Sequence, residues 1–208
     1  MRAQLPSGTV TFLFTDIEAS TRLLHAVGPD VYAEALSEHR RMLRAAFEAH
    51  DGAEVDTQGD AFFVAFPTAP GAVAAADAGQ RALESGPIRV RMGLHTGTPT
   101  VTGEGYVGVD VHRGARVAAL AHGGQVLVTE ATAATWESTH PAAAGVSAGT
   151  EWMVVSATSL ARQAGTRPAR TCAHNRGSRW RSSSACPISL FAACLLYPSY
   201  AADDLPRL

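Results

Sequence analysis

The chain has 208 residues, 46% of them apolar and 17% charged, and a formal net charge of -2. That length suits one well-cored domain plus a tail, and the near-neutral balance leaves no electrostatic footprint for nucleic acid or an anionic membrane. The most apolar late run, Ile188 to Tyr197, is about half of the roughly 20 residues that a spanning helix needs.

Gly8 to Thr15 (GTVTFLFT) alternates with period two and is apolar on both sides, the mark of a strand with both faces at least partly buried. From Ser20 to His50 the period becomes helical, through Tyr32, Leu36, His39, Leu43 and Phe47, and Gly28-Pro29 divides the run into two helices. Asp51-Gly52 stops them, and AEVDTQGDAFFVAF then predicts a hairpin turning at Gln58-Gly59, with Asp60 beside its tip. A helix over Pro70 to Glu84 and a strand over Ile88 to Leu94 follow. After a glycine-rich loop come a helix over Val109 to His122 and a strand over Gln125 to Thr129. Hairpin-linked strands interleaved with helices predict an α+β fold: a mixed, mostly antiparallel sheet with helices packed on one face.

From about residue 139 the character changes. Between Trp152 and Ala202 no Asp or Glu occurs, while Arg162, Arg167, Arg170, Arg176, Arg179 and Arg181 gather without either period. Cys172, Cys186 and Cys194 all fall in this last quarter, with neither zinc-ligand spacing nor a CxxC pair. Residues 1–137 are therefore expected to form the domain and 138–208 a disordered or non-native tail. The tail's composition is that of GC-rich coding sequence read in a shifted frame, and its end resembles translated adapter sequence, so the domain is expected to be incomplete at its C-terminal side. The first seven residues carry Arg2 and no secretory apolar run, which predicts a cytoplasmic chain.

Two acids stand at strand ends: Asp16 after TFLFT, and Asp60 at the hairpin turn. Carboxylates held there can share hard cations that bridge to phosphates, although either acid alone is more often a turn or cap residue. Ile17-Glu18-Ala19-Ser20-Thr21 opens a helix whose free N–H groups suit a triphosphate, or whose Ser20 simply caps it.

VTFLFTDIEASTRL, EVDTQGDAFFVAF, RVRMGLHTG and VGVDVHRGARVAALAHGGQVLVT occur in order, and together they resemble the class III adenylate and guanylate cyclase catalytic domain, especially its bacterial forms. The resemblance implies a ferredoxin-like α+β fold, a head-to-tail homodimer with the site at its interface, and conversion of ATP or GTP to a 3',5'-cyclic nucleotide plus pyrophosphate. It implies two Mg2+ or Mn2+ ions on Asp16, Asp60 and the Ile17 carbonyl, and a purine nucleoside triphosphate beside Glu18, Ala19, Ser20 and Thr21. Arg116 matches the arginine that meets charge on the α-phosphate, where an always-charged guanidinium suits the task. His112, four residues earlier, stands where the family has a ribose-positioning asparagine. No nucleic-acid or membrane partner is implied, and no GGDEF-like turn points to the related palm fold.

The chain departs from the family's pattern at the base-reading pair, where Asp56 replaces the adenine-reading lysine and Gly105 the usual aspartate. An acid at Asp56 could accept from guanine N1 and N2. The 17 basic residues are all arginine, so the family's late-strand lysine is absent too. Losing such a phosphate contact costs on the order of 2 to 4 kcal/mol of transition-state stabilisation. The alternative expectation is accordingly a catalytically degenerate module that binds nucleotide and dimerises to regulate another domain.

Overall fold

The computed structural model describes residues 5–139, 151–155, 172–175 and 180–183. The elements run β1 (Val10–Ile17), α1 (Ser20–Val27), α2 (Pro29–Glu48), β2 (Ala53–Gln58), β3 (Ala61–Phe66), α3 (Ala69–Leu83) and β4 (Val90–Gly97). They continue with β5 (Thr100–Thr102), β6 (Gly105–Val107), α4 (Val109–Leu120), β7 (Gln125–Thr129), α5 (Glu130–Thr139), β8 (Glu151–Val155), β9 (Cys172–Asn175) and β10 (Trp180–Ser183). One sheet has the order β10-β9-β8-β7-β4-β1-β3-β2, and β5 and β6 form a separate hairpin. β7 lies parallel to both β4 and β8, and the other pairs are antiparallel. The predicted mixed, mostly antiparallel sheet is thus present.

The helices, however, cover both faces. Leu13, Phe62, Val64, Met92 and Leu94 pack against Leu43 and Phe47 of α2, Val73 and Leu83 of α3, and Trp136 of α5. On the opposite face Phe12, Phe14, Phe63 and Tyr106 pack with Ala115 and Ala118 of α4. The expectation of helices on one face is corrected for a physical reason: all six residues of β3 and seven of the eight of β1 are buried. Strands apolar on both sides need cover on both sides. Two close approaches let α4 lie directly on the sheet. A Cβ on Gly93 would come 2.2 Å from the Ala118 backbone nitrogen, and one on Gly114 would come 2.6 Å from the Phe14 ring.

The sheet also runs past residue 137, where the sequence reading ended the domain. β8 adds to β7 in register Val126↔Trp152, burying Trp152 and Met153. Its run of four apolar residues is too short to show a period beside a segment that has none. The hairpin of β5 and β6 likewise stands where only a loop was expected. The remaining expectations for 138–208, including the shifted frame, lie outside the described residues.

Candidate active site

The site begins where β1 and the β2–β3 hairpin end side by side. Gln58 pairs with Ala61, leaving a two-residue loop of Gly59 and Asp60. Gly59 takes φ 60°, the positive value that the first loop position of a II′-type hairpin needs. Thr15 pairs with Phe62, so the next residue of β1, Asp16, comes beside this loop. Asp60 accepts hydrogen bonds from the Ser20 hydroxyl and the Ile17 N–H, yet burial, followed by the charge of Asp16, holds its carboxyl above the ordinary value. Its Oδ2 is buried and takes no hydrogen bond among the described residues.

Two neighbouring carboxylates, one with an orphaned buried oxygen, form a site that a divalent cation fits. Among the described residues no cluster of three or more His, Cys, Asp and Glu side chains occurs. A ligand set of two carboxylates and a carbonyl suits Mg2+ or Mn2+, which complete their shells with water and substrate phosphate.

Three site residues were missed in the sequence. Tyr32, half-buried on α2, shares a hydrogen bond with Ser20, and burial, with the charge of Asp60 second, pushes its phenol up. Arg40, two turns further along α2, donates to the Gly59 carbonyl and so pins the Asp60 loop. Arg91 of β4 stands opposite Asp16 in the β1–β4 register, and its Nε donates to Asp16 Oδ2 at 2.9 Å while Nη2 donates to the same oxygen. Helical spacing could have placed Tyr32 and Arg40 on one stripe. Alternation could have turned Arg91 away from Val90 and Met92. Neither signal says which strand lies alongside.

The turn after β1 divides the expected phosphate-binding residues. The Glu18 N–H donates to the Arg89 carbonyl at 2.9 Å, and its carboxylate is turned towards His122, at 3.5 Å. Glu18 therefore offers no free N–H to a phosphate. Ala19 takes φ 54°, a left-handed conformation uncommon outside glycine, and α1 starts at Ser20 without a side-chain cap. The first-turn N–H groups, those of Ser20 and Thr21 among them, remain as donors.

His112 and Arg116 lie exposed on one side of α4, opposite its buried Gly114, Val117 and Ala118. Among the described residues no ion pair or hydrogen bond joins either of them to Asp16 or Asp60. A Cβ on Gly105 would stand 3.6 Å from Cγ1 of Val55, the residue before Asp56 on β2. Asp56 accepts from the Thr57 N–H at 2.8 Å and from the Gln58 amide at 2.9 Å, one bond on each oxygen.

Residues 3–143 match the family model of the adenylate and guanylate cyclase catalytic domain. An uncharacterized protein of Mycobacterium tuberculosis is 41% identical over 129 residues, a match covering 61% of this chain and 45% of that protein. The adenylate cyclase of Lachancea kluyveri is 34% identical over 155 residues, covering 60% of this chain and 8% of the enzyme. The chain thus spans less than half the length of these relatives. Among solved structures, an adenylate cyclase domain of Trypanosoma brucei in its monomeric state superposes with TM-score 0.58 at 30% identity, over 64% of this chain and 77% of that one. The monomeric guanylyl cyclase domain of the RhoGC fusion protein from Blastocladiella emersonii gives TM-score 0.58 at 22% identity, over 64% of this chain and 86% of that one, a likeness of fold. Fold and family match agree, and the chain belongs to the adenylate and guanylate cyclase catalytic domain family.

Proposed function

We propose that the domain converts a purine nucleoside triphosphate to its 3',5'-cyclic nucleotide and pyrophosphate at the interface of a homodimer, inside the cell, as a signalling enzyme. The observation that carries this reading is the Asp16–Asp60 pair with its buried, unpartnered Asp60 oxygen, which a bound cation would satisfy. Asp16, Asp60 and the Ile17 carbonyl would hold the metal. Bound Mg2+ or Mn2+ supplies neutralising charge to the polyphosphate and a lowered pKa to the ribose 3'-hydroxyl. The first-turn N–H groups of α1 meet the outer phosphates. Arg116, supplied by a second copy of the chain, meets the charge that builds on the α-phosphate, and His112 beside it orients the ribose. Their exposure on α4, with no ion pair or hydrogen bond to either among the described residues, supports a role across an interface. Asp56 has one acceptor position left on each oxygen, enough for guanine N1–H and N2–H, so GTP is the favoured nucleotide.

The test is cyclic nucleotide formation by residues 1–208 at high protein concentration with Mn2+, offering ATP and GTP separately. Product with either nucleotide supports the enzyme and identifies its base. A folded dimer that binds nucleotide and yields none supports the second reading, a regulatory module, which the absence of lysine favours.

A further inference from the structure

Asp110, in the first turn of α4, has its carboxylate seated against the sheet. The ring of His95 and the guanidinium of Arg113 fall on its Oδ1, each at 3.1 Å, and the Thr98 N–H donates to Oδ2 at 3.1 Å. Gly97 leaves room for this seat, since a Cβ there would stand 2.3 Å from Asp110 Oδ2. Burial pushes the Asp110 carboxyl up, but the bonds from His95 and Thr98 outweigh it and hold the group below its ordinary value, ionised at neutral pH. An ionised carboxylate only accepts, so the His95 proton is on Nε2, and Nδ1 accepts from the Thr129 hydroxyl at 3.0 Å. A hydroxyl donates once, which fixes the rest of the line: Thr132 donates to Thr129, Thr96 to Thr132 and Thr11 to Thr96, over 2.9 to 3.1 Å. These four threonines and His95 are buried, and together they tie β1, β4, β7 and α5 to the start of α4.

The rest of α4 is held by apolar contact. It buries Gly114, Val117 and Ala118, all beyond the first turn, and Gly108 before it supplies no side-chain cap. Apolar contact is non-directional and leaves a helix able to slide or roll, whereas hydrogen bonds fix both distance and angle. Arg116 lies six residues beyond Asp110 on the same helix, about 9 Å along its axis. We propose that His95 and Asp110 are positioning residues for Arg116, locking the register of α4 on the sheet so that the guanidinium is presented at one place. Neither residue needs to touch metal or nucleotide for this. A shift of about 1 Å in a group that meets transition-state charge can cost on the order of 100-fold in rate, so a polar anchor one and a half turns away matters to turnover. The inference rests on the reading of Arg116 as the guanidinium that a second copy of the chain supplies.

Asp110→Asn in residues 1–208 is the leading test, because one amide oxygen cannot accept from His95, Arg113 and Thr98 together. With Mn2+ and GTP or ATP, kcat should fall on the order of tenfold while the nucleotide KM stays within about threefold, the pattern of an interaction made only in the transition state. His95→Gln, whose amide can still donate to Asp110, should fall less than His95→Leu. Mixtures then separate positioning from general damage. With Asp60→Ala at the same total protein, Asp110→Asn should rise towards about a quarter of the wild-type rate, because the mixed dimer pairs its intact aspartates with an undisturbed Arg116. With Arg116→Ala it should drop below Asp110→Asn alone. A KM or Mn2+ affinity that worsens in step with kcat, or an equal response to both partners, overturns the proposal and leaves the pair a merely stabilising one. If Asp60→Ala and Arg116→Ala fail to complement each other as dimers, the shared interface is wrong, and the kcat and KM of Asp110→Asn alone decide. A wild type that forms no product overturns the cyclase reading and this assignment with it.

Discussion

Gly93 of β4 and Ala118 of α4 approach so closely that a Cβ on Gly93 would stand 2.2 Å from the Ala118 nitrogen and 2.6 Å from its Cα. Both neighbours are backbone atoms, which cannot turn aside as a side chain would. The contact sets how deeply α4 sits on the sheet, and so where His112 and Arg116 are carried.

Gly93→Ala should therefore force α4 off β4, costing about 1–3 kcal/mol or more and lowering Tm by at least about 5 °C. Gly103→Ala, with nothing within 4 Å of the new Cβ, is the matched control and should leave Tm unchanged. Thermal melts of the two variants decide it, and equal Tm values would show that α4 can shift freely.

His39 is 1% exposed, and among the described residues neither ring nitrogen has a hydrogen-bond partner. Burial, with the charge of Arg40 second, pulls the ring down to about 4 from 6.5. Between these values the unfolded chain binds the extra proton and the folded chain does not, so stability should rise with pH across that window and level off above it. His39→Leu should flatten that part of the profile and be at least as stable at pH 7, since it removes two unsatisfied polar atoms. Tm compared at pH 5 and pH 7 for both proteins reads this out. A drop of equal size in the variant would assign the effect to other groups.

Asp60 shows the opposite sign. Its folded carboxyl is held above the ordinary value by burial first and by Asp16 second, so the ionised form opposes folding at neutral pH. Asp60→Asn should raise Tm at pH 7 while weakening Mn2+ binding and lowering cyclase turnover by about two decades or more. A variant that is both less stable and fully active would remove Asp60 from the site.

Arg116→Ala and Asp60→Ala should each be inactive alone, yet a mixture should regain activity, because one heterodimer interface then holds an intact aspartate pair and an intact arginine. The regained rate should approach a quarter of wild type: half of the dimers are mixed, and each has about one working site of two. Size-exclusion chromatography must show dimers in the mixture. Dimers without recovery would place Arg116 and Asp60 in the same protomer's site or outside any site.

Much of this was legible along the chain. The strand at VTFLFT, the helices divided at Gly28-Pro29, the hairpin at AEVDTQGDAFFVAF and the helix bearing HRGAR all follow from periods and breakers that a residue shares with neighbours one turn away. Asp16 and Asp60 could be marked as strand-end acids, and His112 and Arg116 as residues one turn apart on a helix, on the same grounds. The weaker elements escaped because three-residue strands, or an apolar run such as WMVV, complete no period.

What tertiary structure alone decided is which of these local features meet. The 75 positions between Asp16 and Arg91 close only because β1 lies between β3 and β4, and the same placing sets Asp16 beside the Asp60 loop. The arrival of α4 on the second face, which leaves Arg116 exposed, depends on Gly93 and Gly114 making room beneath it. Strand order and helix docking are selected by burial summed over the whole sheet, where both sides of β1 and β3 must be covered at once. That sum has no signature within any short stretch of sequence. The residue types that could bind metal were therefore readable locally, while the guanidinium on Asp16 and the unpartnered oxygen of Asp60 exist only through packing.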